Sequence, residues 1–215
     1  MDTPRLSRRQ ILKAAGVAAA LGVVAGPGAA RASANETKIG KVRKVRWDLI
    51  SINFTTFTAS AGGFASARAD DNSRIRLTGS GTFVPGDRAK VTGGGTFTTF
   101  AAATPPAVGT GTGSGTYRVT ELVEWHEAPG AFPLSVDAIG KMADARAGLA
   151  VLRVRYQDRS EGILVVSCQL DGTPPSVFEG ITASRGFVDY WNREDQTRGE
   201  NFTLFHVVRQ DNEDD

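Results

Sequence analysis

Histidine is the side chain most often used for proton transfer and metal binding near neutral pH, and this chain has only two, His126 and His206. They are 80 residues apart in sequence, and neither belongs to a His-x-His pair or to any other metal-ligand spacing. We therefore expect no metal site and no cofactor.

A second source of chemistry is a predicted strand over residues 116–125, because it brings proton-exchanging side chains close together in sequence. Tyr117, Glu121 and His126 are the acid/base candidates. No nucleophile accompanies them, since Ser114 lies between glycines in a strand-like repeat and not in the strand-to-helix turn that activates a serine. One functional hypothesis is thus an enzyme on a β-barrel scaffold with an acid/base site near these three residues.

The large planar side chains give a different hypothesis, that of a binding protein without catalytic activity. Tyr190 and Trp191 stand beside Asp189, Asn192 and Arg193, a combination that can stack flat ligands and hydrogen-bond their edges. The alternative is that such rings simply fill the core. The residues predicted to contact a small molecule are Tyr117, Trp125, His126, Tyr190, Trp191 and His206.

The elements that must position these residues centre on a motif that occurs three times, over residues 76–83, 90–97 and 113–117. Each copy places glycine at alternate positions before a threonine and an aromatic residue, and the first two copies fit consecutive antiparallel strands. The glycines predicted to share one face of this sheet are Gly79, Gly81, Gly93, Gly95, Gly113 and Gly115. Either they let the sheet coil and accept bulky neighbours, or they form a shallow ligand platform.

The remaining pattern is also that of β-strands. We predict a first strand over residues 41–52 with Val45, Trp47 and Leu49 on one face, a hairpin of residues 149–156 and 163–170, and a last strand over 202–208. Strict alternation in the strand over 116–125 places Tyr117, Val119, Glu121, Val123 and Trp125 together on one face. Residues 136–146 are the only predicted helix. The fold predicted for residues 41–209 is a single antiparallel β-barrel, with a two-sheet β-sandwich as the alternative.

Charge is distributed unevenly along the chain. The formal net charge is +2, but residues 1–32 hold five basic side chains and one acidic one, so the remainder has 20 basic and 22 acidic groups and a net charge of −2. A nearly neutral domain has no overall field to attract a polyanion, and we expect no nucleic-acid partner. A flexible lead-in is predicted over residues 33–40 and a disordered acidic tail over 210–215.

The basic start of the chain has the three parts of an export signal. Residues 14–25 form a weakly apolar run, Gly26-Pro27-Gly28 breaks it, and small residues follow, so that cleavage after Ala32 or after Ala34 fits the rule of small residues at a signal-peptidase site. The apolar run is shorter than the roughly 20 residues that a membrane-spanning helix needs. We therefore expect no stable membrane anchor after cleavage.

The sequence Ser7-Arg8-Arg9-Gln10-Ile11-Leu12-Lys13 resembles the twin-arginine (Tat) signal consensus Ser-Arg-Arg-x-Phe-Leu-Lys, with isoleucine where phenylalanine is most frequent. The resemblance covers residues 1–32 and implies recognition of Arg8 and Arg9 by the Tat export machinery of a bacterium. It also implies export of a folded protein to the periplasm or the extracellular space. The lone Cys168 rules out an intramolecular disulfide, as expected for a domain that folds in a reducing cytoplasm.

Overall fold

The computed structural model describes residues 43–196 and 199–208 of the chain. Nearly all of the regular structure in these residues is β-strand, which confirms the predicted fold class. The strands are β1 (Lys44–Asn53), β2 (Thr58–Ala61), β3 (Phe64–Arg68), β4 (Arg74–Thr78), β5 (Ser80–Val84), β6 (Asp87–Phe100), β7 (Gly111–Ala128), β8 (Val136–Asp137), β9 (Ala145–Tyr156), β10 (Glu161–Cys168), β11 (Gly180–Arg185), β12 (Val188–Tyr190), β13 (Asn192–Arg193) and β14 (Phe202–Val208).

Six of these strands close into an antiparallel barrel. The ring runs β1–β5–β6–β7–β9–β14 and returns to β1, with every neighbouring pair antiparallel. Closure leaves these six strands no free edge within the ring, so their backbone groups pair without a partner molecule. The predicted barrel is thus confirmed, and the alternative of two separate sheets is not what the chain forms.

Further strands extend the sheet outside the barrel on two sides. The end of β6 pairs with β4, which is followed outward by β3 and β13. On the other side β9 pairs with β10, which is followed by β11 and β12. These extensions matter for function because they create surfaces that a simple six-stranded barrel lacks.

The core is filled by apolar and aromatic side chains. Val45, Trp47 and Leu49 of β1 are buried as predicted, and the strand ends at Asn53. Phe83, Trp125 and Phe205 pack ring against ring, with centroids 4.7–6.3 Å apart. The aromatic side chains thus serve largely as core, which was the alternative to ligand binding in the sequence.

The glycine motif pairs as predicted but faces inward. Gly81 lies opposite Gly93, and Gly95 lies opposite the buried Tyr117, so the glycines share a face with core side chains. A Cβ atom at Gly95 would be 1.9 Å from the carbonyl oxygen of Thr78. These positions therefore accommodate close backbone approach, and they offer no open platform to a ligand.

Strict alternation along β7 is wrong for Glu121 and Val123, which lie between Val119 and Trp125. The register against β9 shifts between Val119 and Glu121 and again between Leu122 and Glu124. Leu122 is buried in the position that alternation gave to Glu121, whose carboxylate points outward to arginines. The cause is the extra residue of each β-bulge: the first bulge reverses the facing of the side chains that follow it, and the second restores it, so Trp125 again faces the core as predicted.

The predicted helix over residues 136–146 is also wrong. Val136 and Asp137 form β8, which pairs in parallel with β2, and only Met142–Asp144 makes a 3₁₀ turn before β9 begins at Ala145. The backbone N–H groups of Val136 and Ala138 donate to the carbonyl oxygens of Phe57 and Ala59, which fixes this segment beside β2 in an extended conformation.

Several predictions lie outside the described residues. These are the Tat-type signal of residues 1–32 with Arg8 and Arg9, the lead-in of residues 33–40 and the acidic tail of residues 210–215.

The hairpin of β9 and β10 and the last strand, β14, match their predicted positions. Within the described part of the chain, no helix is long and apolar enough to span a membrane.

Candidate anion-binding cavity

A cavity of about 600 Å³ lies on the outer face of the sheet formed by β3, β4 and β6. Alternation along β4 creates its floor, since Ile75 and Leu77 point into the core while Arg74 and Arg76 point outward. The register of β3 and β4 places Arg68 directly opposite Arg74. Three arginine side chains from two adjacent strands therefore lie on one face of this sheet.

Two chain segments form the walls of this cavity, which we call the arginine cavity. One is the loop after β6, which supplies Pro105, Pro106 and Val108, and the other is the segment around β13, which supplies Arg193, Glu194 and Asp195. Glu200 completes the lining. The cavity thus has an apolar wall on one side and a charged wall on the other.

Glu194 neutralises part of the arginine charge. Its Oε1 lies 2.6 Å from Nε of Arg68, and its Oε2 lies 2.6 Å from Nη2 of Arg74, so one carboxylate bridges two guanidinium groups. Arg68 also donates to the carbonyl oxygens of Asn72, Ala103 and Ala107. Arg68 is therefore fully engaged and fixes the loop after β6 to the sheet.

Arg74 differs from Arg68 because some of its buried N–H groups have no hydrogen-bond partner among the described residues. The residue is only 4% exposed, yet its Nε and Nη1 have no hydrogen-bond partner among the described residues. A buried N–H group without an acceptor costs about 1–3 kcal/mol, and more when it carries charge. An anion bound in the cavity would remove that cost.

Arg76 completes the cationic floor. Its guanidinium stacks 3.9 Å from the ring centroid of Phe64 and 5.6 Å from that of Phe100, and its buried Nε likewise has no hydrogen-bond acceptor in the described part of the chain. Burial and the neighbouring Arg74 lower the pKa of Arg76, but an arginine stays charged at any physiological pH. Both rings hold the group in place, and its Nε–H is buried without a described acceptor.

The balance of charge favours an anion. Arg68, Arg74, Arg76 and Arg193 face three carboxylates, Glu194, Asp195 and Glu200, which gives the lining a formal net charge of +1. Arginine is suited to carboxylate and phosphate groups because its planar fork presents several N–H donors at once. Among the described lining residues there is no histidine, cysteine, serine or tyrosine, and the titratable groups are arginines and carboxylates.

None of the six ligand-binding residues predicted from the sequence lines this cavity. Tyr117 and Tyr190 are buried, and Trp125 packs in the core against Phe83 and Phe205. Trp191 is 53% exposed on the short connection between β12 and β13. The remaining two, His126 and His206, lie in unrelated environments, one exposed and one buried.

The acid/base candidates are not assembled into a site. The buried hydroxyl of Tyr117 donates to the carbonyl oxygen of Thr78, and burial raises its pKa far above the ordinary value. Glu121 pairs with Arg88 and Arg153 on the outside of the barrel, and the hydrogen bond from Arg153 lowers its pKa. His126 is exposed and contacts Glu124. Each group thus has its own partner, and they share none.

His206 belongs to a buried polar cluster on the outer face of β1 and β14. Its Nε2 lies 2.7 Å from Oδ2 of Asp137, and Arg46 pairs with Asp48 nearby on β1. Burial raises the pKa of Asp48. Burial would also raise the pKa of Asp137, but hydrogen bonds from His206 and from two backbone N–H groups outweigh it and lower that pKa. Asp137 thus anchors the segment that covers His206.

Two other buried groups have structural roles. Glu179 accepts hydrogen bonds from the backbone N–H groups of Gln169 and Thr203, and burial raises its pKa to about 8. Burial also raises the pKa of Cys168, which makes it the unreactive thiol expected from the sequence. Residues 43–196 and 199–208 contain no group of three His, Cys, Asp or Glu side chains arranged to hold a metal ion.

The signal for the arginine cavity was present in the sequence but incomplete. Arg74-Ile75-Arg76-Leu77 alternates charge with apolar bulk, which on an exposed strand predicts an arginine stripe. Nothing in that stretch shows that Arg68 and Glu194 join it, because Glu194 is 120 residues further along the chain. Comparison of the chain with protein-family models, with curated proteins and with solved structures gives no match.

Proposed function

We propose that this chain is an exported bacterial protein that binds a small anionic molecule, free or part of a cell-envelope component, in the arginine cavity. The observation that carries the proposal is Arg74, a buried cation with two N–H groups that lack an acceptor in the described chain. Proteins satisfy nearly all buried polar groups, so an exception inside a cavity favours a ligand that completes it.

Two other parts of the molecule are less suited to such a ligand than the arginine cavity is. Trp47, Phe83 and Phe205 fill the barrel interior, and the glycine face lies against backbone. The barrel interior has one buried donor without a described partner, Nε1 of Trp47, but it is filled by side chains. The arginine cavity combines its volume with unpaired donors that carry charge. Export through the Tat machinery places this binding activity in the periplasm or outside the cell.

The proposal is tested by titrating the full-length chain with a panel of small anions and measuring heat or a shift in melting temperature. Parent protein should bind at least one anion, and Arg76→Gln should weaken that binding by tenfold or more, because a charge-assisted hydrogen bond contributes about 1.5–3 kcal/mol. Arg118→Gln, at an exposed position of β7 outside the cavity, is the matched control and should change affinity less than twofold. Equal weakening by both substitutions, or no binding of any anion, would contradict the proposal.

A further inference from the structure

The geometry points to a monocarboxylate with an apolar body as the ligand of the arginine cavity, an inference that rests on the proposed anion-binding function. Three features define it: the charge balance of the lining, the manner in which Glu194 binds, and the apolar wall.

The net charge of the cavity lining favours a ligand with a single negative charge. With a lining of net charge +1, a monoanion brings the occupied cavity to neutrality, whereas a dianion leaves it at −1 beside Glu194, Asp195 and Glu200. Like charges a few ångströms apart in a partly desolvated site repel strongly, so the second charge of a phosphate ester is unfavourable here. The carboxylates of the lining therefore act as a filter against dianions.

Glu194 shows that these arginines accept a carboxylate. Its two oxygens lie 2.6 Å from Nε of Arg68 and 2.6 Å from Nη2 of Arg74, so one carboxylate pairs with two guanidinium groups. The donors that remain, Nε and Nη1 of Arg74 and Nε of Arg76, lie on adjacent positions of one strand face. A second carboxylate, supplied by the ligand, matches these donors in charge and in hydrogen-bonding chemistry.

The opposite wall requires an apolar part in the ligand. Pro105, Pro106 and Val108 line it, and Val108 is 47% exposed although it is a large aliphatic residue. These side chains have no polar group to offer, so contact with them is favourable only for carbon. An anion without an apolar body would leave this wall in water.

The test compares three probes at pH 8 and low salt: benzoate, phenyl phosphate and acetate. Benzoate and phenyl phosphate share a ring, but phenyl phosphate is dianionic because its second pKa is about 6. We expect benzoate to bind at least tenfold more tightly than either of the other two probes. Arg76→Gln should abolish this difference together with benzoate binding.

A substitution in the charged wall tests the filter itself. Asp195→Asn raises the net charge of the lining to +2 and should improve phenyl phosphate binding several-fold relative to benzoate. Asp189→Asn, an exposed acidic residue on β12 outside the cavity, is the control and should leave the ratio unchanged. An unchanged ratio in Asp195→Asn would overturn the charge filter.

The other outcomes separate this inference from the proposed function. Phenyl phosphate or acetate binding as tightly as benzoate, with loss of binding in Arg76→Gln, would overturn the monocarboxylate inference and leave anion binding in place. If none of the three probes and no other anion bound in a manner that depends on Arg76, the proposed function itself would be wrong.

Discussion

Gly95 shows what a missing side chain does in this fold. It lies on β6 opposite Tyr117, and the backbone of Thr78 crosses directly over it. The hydroxyl of Tyr117 donates to that same Thr78 carbonyl group, so glycine and tyrosine together let β4 approach β6 and β7 closely. Glycine in a strand costs about 0.5–1 kcal/mol relative to alanine, and here close packing offsets that cost.

Gly95→Ala should therefore destabilise the protein by about 1–3 kcal/mol, because the added methyl overlaps a carbonyl oxygen that belongs to paired backbone. Gly111→Ala is the control, since a Cβ at Gly111 meets nothing within 4 Å, and it should stay within about 0.5 kcal/mol of the parent. Urea midpoints followed by circular dichroism measure both. A Gly95→Ala midpoint equal to that of the parent would show that the sheet relaxes freely around this position.

The binding residues were harder to predict than the core. The alternation of β1 identified Val45, Trp47 and Leu49 as buried, because apolar bulk on one face of a strand is a local property. The arginine cavity depends instead on the register of β3 against β4 and on a segment from the far end of the chain. The pattern of a single sequence contains no information on such long-range pairs. It therefore indicates aromatic side chains as ligand contacts and does not indicate the arginines of the cavity.

At the level of elements, the segment between β8 and β9 shows why helical spacing was misleading. Asp137 accepts hydrogen bonds from the backbone N–H groups of Ile139 and Gly140, which forms a turn where a helix was predicted. Gly140 is packed so closely on His206 that a Cβ would be 2.8 Å from the ring. Tertiary contacts with β2 and β14 thus override the weak helical pattern of residues 136–146.

Asp137→Ala should release this segment and cost about 2–4 kcal/mol, since it removes a buried, charged hydrogen-bond acceptor and leaves His206 without its partner. Glu124→Ala breaks a carboxylate–histidine contact of similar length, 2.8 Å to His126, but at an exposed position. It should cost no more than about 0.5 kcal/mol. Unfolding free energies from denaturant titrations compare the two, and similar losses would mean that burial does not govern the Asp137–His206 pair.

At the scale of the whole molecule, the barrel supports the arginine cavity without containing it. Its interior is closed by packed aromatic rings, and the cavity forms outside it, where β4, β3 and β13 extend the sheet. The sequence predicted a barrel from its many short strands and glycine-rich repeats, and this was correct because those features are repeated throughout the chain. The extensions of the sheet were not predicted, since they arise from strands that leave the ring at bulges and turns.

A domain that folds with one buried thiol and no disulfide is suited to export in the folded state, and the signal sequence predicts that route. Arg8→Lys combined with Arg9→Lys should therefore block export, because the planar guanidinium fork makes contacts that a lysine ammonium cannot reproduce even though the charge is kept. Immunoblots of cytoplasmic and exported fractions should show the uncleaved precursor accumulating inside the cell. Arg5→Lys, an equivalent change outside the arginine pair, should be exported like the parent. Normal export of the double variant would remove the Tat assignment and would mean that the protein leaves the cytoplasm by another route.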